Sequence, residues 1–418
     1  HQWAKTIGCN ETEELKKVFQ NVRYNLYFKY LRIIHPISKQ DVISSTKLKI
    51  DYKGKPKVLL IDDESEKGWY EIFAFLLVKL NNIYTDYLGV DFKNLSSDEI
   101  IEKSIDKIFT DDIDDVILDF RLNPSDFEKI KSDEITSIKL LKGIKKTNPG
   151  IQVIIFSATN KAWNLQALQE AQTDGFIFKD GSENIYQFIN TMIVKLASSL
   201  EKAFLLKPVN KSFNILKNND MNLSDSFKTS LDKNLSICFE LLKKSFEISK
   251  YRNYAYLQLF LIVEEFIKED SVFEFGSNCY VVGPSARYLV LSNDPKQKNS
   301  PAKSAIKFIN SNGHYHIEQS DYNRNIDTNF KMSSILLFRN GLTTSGGENW
   351  SKIYSIRNKK AAHPEVKLVE FSEINQLAKF LEFILDKAKL NPVAQNKALT
   401  EPSQKEQVEN LKKIWGAK

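Results

Sequence analysis

The sequence is poor in cysteine, methionine, glycine and proline, and it has no long uninterrupted apolar segment. Only 3 Cys and 3 Met occur among 418 residues, with 15 Gly and 11 Pro. Cys9, Cys238 and Cys279 have neither metal-site nor redox spacing, which favours a reducing, cytoplasmic location. No apolar run approaches the ~18 residues of a membrane span. We therefore expect no membrane segment, and we find no signal-peptide pattern.

Strong charge of either sign is also lacking over the chain as a whole. The net charge is +6, with 42% hydrophobic and 27% charged residues, which is ordinary for a globular protein. The length predicts two or three domains. Basic residues outnumber acidic ones from Pro208 onward, whereas the preceding part is close to neutral. A polyanionic partner is therefore expected to bind the C-terminal half.

The first half of the chain alternates between helical and strand patterns. Residues 1–55 form a predicted helical and extended segment, with an amphipathic helix over 11–33. Over 56–206, the apolar runs "KVLLI", "DDVILDF", "IQVIIFSA" and "DGFIFKD" alternate with helical stretches such as "WNLQALQEAQ". Strands that are apolar throughout and separated by helices are typical of a parallel sheet covered on both faces. We predict an α/β domain with a parallel sheet covered on both faces by helices.

Polar residues follow these strands at their carboxyl ends, where functional groups gather in such sheets. Asp62 and Asp63 follow the first strand, and Asp119 is the penultimate residue of the second quoted run. Three converging carboxylates predict a hard divalent cation such as Mg²⁺. Asp119 would then be positioned to accept a phosphoryl group. Ser157 and Lys179 end two further strands and would supply a hydroxyl and a cation.

This ordered set resembles the receiver domain of bacterial response regulators over residues 56–205. The family has an acidic pair after its first strand, an acceptor Asp after the third, Ser or Thr after the fourth and Lys after the fifth. Asp62 and Asp63, Asp119, Ser157 and Lys179 match in order. The resemblance implies a doubly wound five-stranded parallel sheet, Mg²⁺ as cofactor, and a histidine kinase or phosphotransfer protein as partner.

The same resemblance assigns further roles. Phe176 matches the aromatic switch residue, and the backbone carbonyl of Arg121 is implied as a Mg²⁺ ligand beside the three aspartates. Asp180 stands where the family commonly has Pro, and "NPSDFEKIKSDEIT" is an apparent insertion after the acceptor. The insertion predicts an altered loop beside the phosphate. A receiver-like domain that no longer accepts phosphate is the alternative interpretation.

The second half of the chain is predicted to be mostly helical. Residues 207–225 are polar and predict a linker, 226–390 a helical domain with short strand candidates in its middle, and 391–418 a polar tail. Within "WSKIYSIRNKKAAHP", Pro364 disfavours the α conformation at His363, so the helix should end near Ala362. Arg and His close together suit RNA cleavage without a metal.

This stretch resembles the signature of HEPN-domain ribonucleases over about 225–390: an Arg, a spacer of variable length, and a His. Asn358 follows Arg357 directly, as is frequent in the family. The resemblance implies an α-helical bundle, catalysis by Arg357, Asn358 and His363, RNA binding by Lys359 and Lys360, and a homodimer whose paired sites form one cleft. Glu264 and Glu265 are candidate polar partners of the site.

Together these patterns predict a cytoplasmic, phosphorylation-controlled regulator whose output domain is a metal-independent endoribonuclease. Phosphorylation of Asp119 would modulate the dimer arrangement of the Arg357 and His363 sites. A role in stress or antiviral defence is implied by the resemblance alone. The rival interpretation is a phospho-dependent interaction module with a silent helical domain. A DNA-binding regulator is disfavoured because no compact helix-turn-helix is present.

Overall fold

A computed structural model of the chain describes residues 48–127, 134–157, 173–179, 185–218, 223–269, 273–275, 278–282, 287–292, 305–311, 314–320, 327–338, 344–363 and 367–390. The chain divides into two compact units between Lys207 and Pro208, here called unit 1 and unit 2. The predicted helices over 11–33 and in "WNLQALQEAQ", and the predicted tail 391–418, lie outside the described residues.

Unit 1 contains one parallel sheet. Its strands are β1 (Lys57–Ile61), β2 (Tyr84–Leu88), β3 (Asp115–Asp119), β4 (Gln152–Ser157) and β5 (Gly175–Phe178). The strand order is β2-β1-β3-β4-β5, and each described pairing is parallel. This confirms the predicted five-stranded parallel sheet, in the flavodoxin-like doubly wound order.

Helices cover both faces of the sheet. They are α1 (Trp69–Ala74), which continues into a π-helical turn over Phe75–Lys79, α2 (Ser97–Thr110), α3 (Thr136–Thr147) and α4 (Ile185–Lys217). Alternate residues of each strand feed two apolar cores. One core includes Val116, Leu118 and side chains of α2 and α3. The other includes Ile117, Ile154 and side chains of α1 and α4. This two-sided burial explains why the central strands are apolar throughout.

Sequence patterns did not locate β2 and α2. The strand "YTDYL" lies at the sheet edge, and its residues are partly exposed apart from Thr85. Helix α2 begins with a capping box, in which Ser96 and Glu99 each accept a hydrogen bond from the backbone of the other.

Helix α4 corrects the predicted linker over 207–225, because residues up to Lys217 are helical. Val209, Phe213 and Leu216 recur at helical spacing and are buried. Within unit 2, the Phe213 ring lies 6.4 Å from the Phe239 ring. Burial of this apolar stripe stabilises helix despite the polar composition of the stretch.

Unit 2 contains five described helices and two small antiparallel sheets. The helices are α5 (Asp225–Lys244), α6 (Tyr251–Lys268), α7 (Thr328–Phe338), α8 (Thr344–Ile356) and α9 (Phe371–Leu390). One sheet contains β6 (Phe273–Phe275), β7 (Asn278–Val282) and β8 (Arg287–Ser292), and the other contains β9 (Ala305–Ser311) and β10 (His314–Ser320). The domain is mostly helical, as predicted, but it contains two small sheets where only short strand candidates were expected. Aromatic and β-branched residues in these segments favour strands.

An aromatic cluster packs α6, α8 and α9 together. The fully buried Trp350 ring lies 5.9 Å from Phe260 and 5.6 Å from Phe380. The Tyr256 hydroxyl donates a hydrogen bond to the carbonyl of Ile353 at 3.0 Å. These contacts fix the carboxyl-terminal part of α8, which leads into the predicted Arg–His stretch. In the part of the chain that the structure describes, no helix has the length and apolarity needed to cross a bilayer.

Candidate functional site

The carboxyl ends of β1 and β3 place three predicted aspartates together. Asp62 and Asp63 directly follow β1, and Asp119 is the last residue of β3. One carboxylate oxygen from each lies within 4.8 Å of the others. We call these three residues together with Lys179 the acid pocket. Asp62 is fully buried, whereas Asp63 and Asp119 are partly exposed, so a small ligand would enter from their side.

The end of β2 fixes the backbone of Asp62. The N–H of Asp62 donates to the carbonyl of Leu88 at 3.0 Å. Gly89 follows with φ +144°, and a Cβ atom at this position would lie 2.0 Å from the carbonyl oxygen of Asp62. Both the backbone angle and the close approach require glycine. The end of β2, the edge strand that sequence patterns did not locate, therefore holds the backbone of Asp62 in place.

Lys179 reaches the pocket from the end of β5. Its backbone N–H donates to the carbonyl of Ser157 at 2.8 Å. Its Nζ atom lies 2.8 Å from Asp62 Oδ2, 2.6 Å from Asp119 Oδ1 and 4.7 Å from the centre of the Phe156 ring. The ammonium group is therefore shared between two carboxylates over an aromatic face.

The acid pocket shifts the pKa values of its members. Burial, followed by the charge of Asp62, raises the pKa of Asp63 to about 6. Burial also raises the pKa of Asp119 to about 6, although Lys179 opposes the shift. Burial alone would lower the pKa of Lys179, but the charges of Asp119 and Asp62 outweigh it and raise that pKa. One ammonium group does not compensate three clustered carboxylates.

This donor set fits Mg²⁺. Carboxylate oxygens are its preferred protein ligands, and a divalent cation would favour the ionised carboxylates, which burial and, secondarily, the charge of Asp62 disfavour. Arg121, whose carbonyl is the implied fourth ligand, follows closely in the chain, and its N–H donates to Asp119 Oδ2 at 3.2 Å. Ser157 is buried at the end of β4, and Phe176 is partly buried on β5.

The predicted insertion after Asp119 is anchored by a buried carboxylate. Asp126, only 1% exposed, accepts bonds from the N–H groups of Leu122 and Asn123 and from both the N–H and the hydroxyl of Thr136. These bonds join the described start of the loop to the first turn of α3. The insertion therefore begins as an ordered turn directly beside the acceptor.

The Arg–His stretch lies at the end of α8, where the helix widens into a π-helical turn over Arg357–Ala361. Ala362 is the C-cap of this π-helical turn, so the prediction that His363 lies just past the helix is confirmed. His363 is exposed, and the Arg357 side chain is 38% exposed. We call residues 357–363 the Arg–His turn. Such π-helical turns are frequent at functional sites.

Helix α6 lines one side of Arg357. A guanidinium nitrogen lies 3.8 Å from Glu264 Oε1, and the guanidinium carbon lies 5.7 Å from the centre of the Phe260 ring. Arg357 also donates to the side-chain oxygen of Asn358 at 3.0 Å. Of the two predicted partners, Glu264 contacts Arg357, whereas Glu265 accepts hydrogen bonds from Ser230 and Asn234 of α5.

The two lysines of the turn differ. Lys359 is exposed, whereas Lys360 forms a 2.6 Å ion pair with Glu373 of α9. Of this pair, Lys359 is the more available to a polyanion. Sequence reasoning did not single out Asn253 of α6, whose amide contacts the turn. A lone Asn in an apolar helix was the available signal.

No protein-family model and no curated protein matches the chain. The solved structures to which the chain is similar include two receiver domains and a response regulator. These are a CheY-like protein from Methanospirillum hungatei JF-1 (17% identity, 35% of this chain, 97% of that chain, TM-score 0.25), a Francisella response regulator (23%, 35%, 97%, 0.25) and a two-component response regulator from Clostridium difficile (19%, 34%, 96%, 0.24). These comparisons show no HEPN domain. By its own strand order, unit 1 has the doubly wound architecture of the receiver fold.

Proposed function

We propose that unit 1 is a phosphorylation switch with Asp119 as the acceptor. The observation that carries this proposal is the acid pocket, in which Lys179 lies 2.6 Å from Asp119 and 2.8 Å from Asp62. An anionic acceptor beside a buried cation is suited to attack on a phosphoryl group whose charge the cation stabilises.

In the proposed reaction, an Asp119 oxygen attacks the phosphorus of a phosphohistidine on a histidine kinase or phosphotransfer protein. The P–O bond forms while the P–N bond breaks, and the imidazole leaves. Asp62, Asp63, Asp119 and the carbonyl of Arg121 would bind Mg²⁺, which supplies charge stabilisation to the transferred group. Lys179 and the hydroxyl of Ser157 would bind the product phosphoryl oxygens. Phe176 is the proposed reporter of the new charge.

Intact-mass measurement after incubation with acetyl phosphate and Mg²⁺ tests the switch. We expect the parent protein to gain one phosphoryl group and Asp119→Asn to gain none, because an amide does not form the acyl phosphate. Asp98→Asn, at an exposed position of α2, is the matched control and should behave as the parent. Equal phosphorylation of Asp119→Asn and the parent would refute the assignment of the acceptor.

We further propose that unit 2 cleaves RNA at the Arg–His turn, in a HEPN-like manner that needs no metal. The supporting observation is that His363 is exposed and lies just past the π-helical turn that carries Arg357. His363 would take the ribose 2′-hydroxyl proton or protonate the leaving oxygen, and Arg357 would stabilise the phosphorane. The 2′-oxygen attacks phosphorus, the P–O5′ bond breaks, and a 2′,3′-cyclic phosphate results.

In this proposal, three neighbouring residues of the Arg–His turn have supporting roles: Asn358, Lys359 and Lys360. Asn358 orients the guanidinium, and Lys359 with Lys360 attracts the RNA backbone. A homodimer would bring two Arg–His turns to one cleft, and phosphorylation of Asp119 would alter that pairing. Defence against phage or a response to stress is the proposed setting, by family resemblance.

RNA incubated with phosphorylated and unphosphorylated protein, in the presence of EDTA, tests the second activity. We expect cyclic-phosphate ends by mass spectrometry and a loss of cleavage of about 100-fold or more in His363→Ala, the scale of a general acid–base group. Lys228→Ala on the exposed face of α5 is the control. If RNA stays intact in every arm, the rival function, a phospho-dependent interaction module with a silent helical unit, takes the place of this one.

A further inference from the structure

Asn253 near the start of α6 has every hydrogen-bonding group of its amide satisfied by the backbone around the Arg–His turn. It is fully buried. Its Nδ2 atom donates to the carbonyls of Lys360 and Lys367, each at 2.9 Å, and its Oδ1 atom accepts from the N–H of Val369 at 3.1 Å. Two donors and one acceptor in one plane are a property of a side-chain amide.

The three bonds enclose His363 between two fixed points. Lys360 lies in the π-helical turn before His363, and Lys367 and Val369 lie in the segment that follows it. The carbonyl of Lys360 also accepts the backbone N–H of His363 at 3.0 Å. Asn253 and His363 therefore share one acceptor, and the amide is two hydrogen bonds away from the histidine backbone.

The exposed position of His363 makes this anchoring important. A catalytic group on a rigid element is held in place by its packed neighbours, but an exposed imidazole past a helix end depends on its backbone. A misplacement of about 1 Å reduces a catalysed rate by about 100-fold. An apolar side chain at this position would leave the carbonyls of Lys360 and Lys367 and the N–H of Val369 without their partner, which destabilises the fold. Positioning of His363 therefore has to be separated from this structural contribution by measuring rate and stability together.

We propose that Asn253 is the positioning residue of the Arg357–His363 pair, and that it sets the backbone from which His363 meets the scissile RNA phosphodiester. This inference rests on the proposed ribonuclease function. Asn253 touches neither reacting group, so its removal should reduce the rate of the chemical step without weakening RNA binding.

The test compares Asn253→Ser with Asn234→Ser in the full chain. Asn234 is a matched control because it is also a buried Asn of unit 2, 6% exposed, whose amide bonds to Ser230, Gln258 and Glu265 and not to the turn. Single-turnover cleavage of a labelled RNA, RNA affinity and thermal unfolding are measured for both. Asn253→Gln, which keeps both donors and the acceptor, serves if Asn253→Ser does not fold.

We expect Asn253→Ser to cleave at least about tenfold more slowly, toward the 100-fold scale of a misplaced catalytic group, with RNA affinity within about twofold of the parent. Asn234→Ser, at a similar loss of thermal stability, should retain the parental rate. Asn253→Gln should fall between the parent and Asn253→Ser.

Three results would overturn the inference. If His363→Ala abolishes cleavage but Asn253→Ser and Asn253→Gln cleave like the parent, the positioning role is wrong while the ribonuclease stands. The same conclusion follows if Asn253→Ser and Asn234→Ser lose activity only in proportion to their unfolded fraction. If the parent and His363→Ala are indistinguishable on RNA, the proposed ribonuclease has failed and the inference falls with it.

Discussion

The acid pocket and the Arg–His turn gather charged groups in opposite ways. In the pocket, strand ends of one sheet bring three carboxylates within 4.8 Å of one another and a lysine within hydrogen-bonding distance of two of them, and Asp62 is fully buried. At the turn, a widened helix end leaves His363 exposed and Arg357 partly exposed. The charged groups of the acid pocket face one another within one chain, whereas the side chains of Arg357 and His363 are accessible from outside.

This difference indicates where control and chemistry would reside. A buried cluster of like charges responds strongly to one added cation or phosphoryl group, because screening by water is weak there. An exposed pair gains strength only when a ligand or second protomer excludes water. For stability and ligand affinity, the comparison therefore predicts large effects from changes in the pocket and small ones from changes to the partly exposed ion pair at the turn.

The largest effect should come from Lys179→Ala. Without Mg²⁺ we expect the free energy of unfolding to fall by about 3 kcal/mol, because two buried carboxylates lose their shared cation. Added Mg²⁺ should recover part of this loss, since it neutralises the same oxygens. Denaturant unfolding with and without Mg²⁺ measures both quantities, with Lys139→Ala on the exposed face of α3 as the control. A stability equal to the parent in EDTA would contradict the buried ion pairs.

Mg²⁺ affinity should depend on pH through Asp63 and Asp119. Their folded pKa values, about 6, lie above the ordinary value, so protons compete with the cation as the pH falls through 6. We expect the Kd for Mg²⁺ to rise at least about tenfold between pH 7 and pH 5. Titration calorimetry measures this change, and Asp63→Asn should flatten it. A pH-independent Kd would exclude these carboxylates as ligands.

The same pKa shifts fix the sign of the apoprotein's pH stability. Between the ordinary aspartate pKa and about 6, the folded protein binds more protons than the unfolded chain, so stability falls as the pH rises through this window. Above pH 6 the penalty is fully present. Mg²⁺ should oppose this dependence, because it binds more tightly as the carboxylates lose their protons.

The smallest effect should come from Glu264→Gln. The 3.8 Å pair with Arg357 is partly exposed on both sides, so removal of the carboxylate should tighten RNA binding by only about twofold to fivefold. Fluorescence anisotropy at low and high salt measures the change, which salt should diminish. Glu240→Gln removes a comparable partly exposed pair with Lys243 on α5 and should leave RNA affinity unchanged. A gain equal in both variants would reflect net charge alone.

The sequence predicted the elements that are buried on both sides. β1, β3 and β4 are apolar because helices pack against both of their faces. Once these strands were located, the aspartates and the serine at their carboxyl ends were located as well. β2 escaped because an edge strand with Asp86 at its centre lacks an apolar run. The number of strands in unit 2 was underestimated, because helical patterns precede and follow them in the sequence.

The geometry of the Arg–His turn was only partly predictable. Pro364 located the helix end, but no local pattern signals the π-helical turn. Asn253 escaped because its partner Lys360 lies 107 residues further along the chain. Contacts of this separation depend on tertiary packing of α6 against the turn rather than on any spacing in the sequence.

The π-helical turn has a consequence for comparing this chain with others. An extra residue in an α-helix rotates everything beyond it by about 100°, unless a wider turn absorbs the addition. Over Arg357–Ala361 the chain has such a turn, so a protein with one residue fewer and a plain α-helix would place its histidine on the same side of the axis. Arg–His spacers of different length are then geometrically equivalent, and alignments of such proteins should permit a gap inside the spacer.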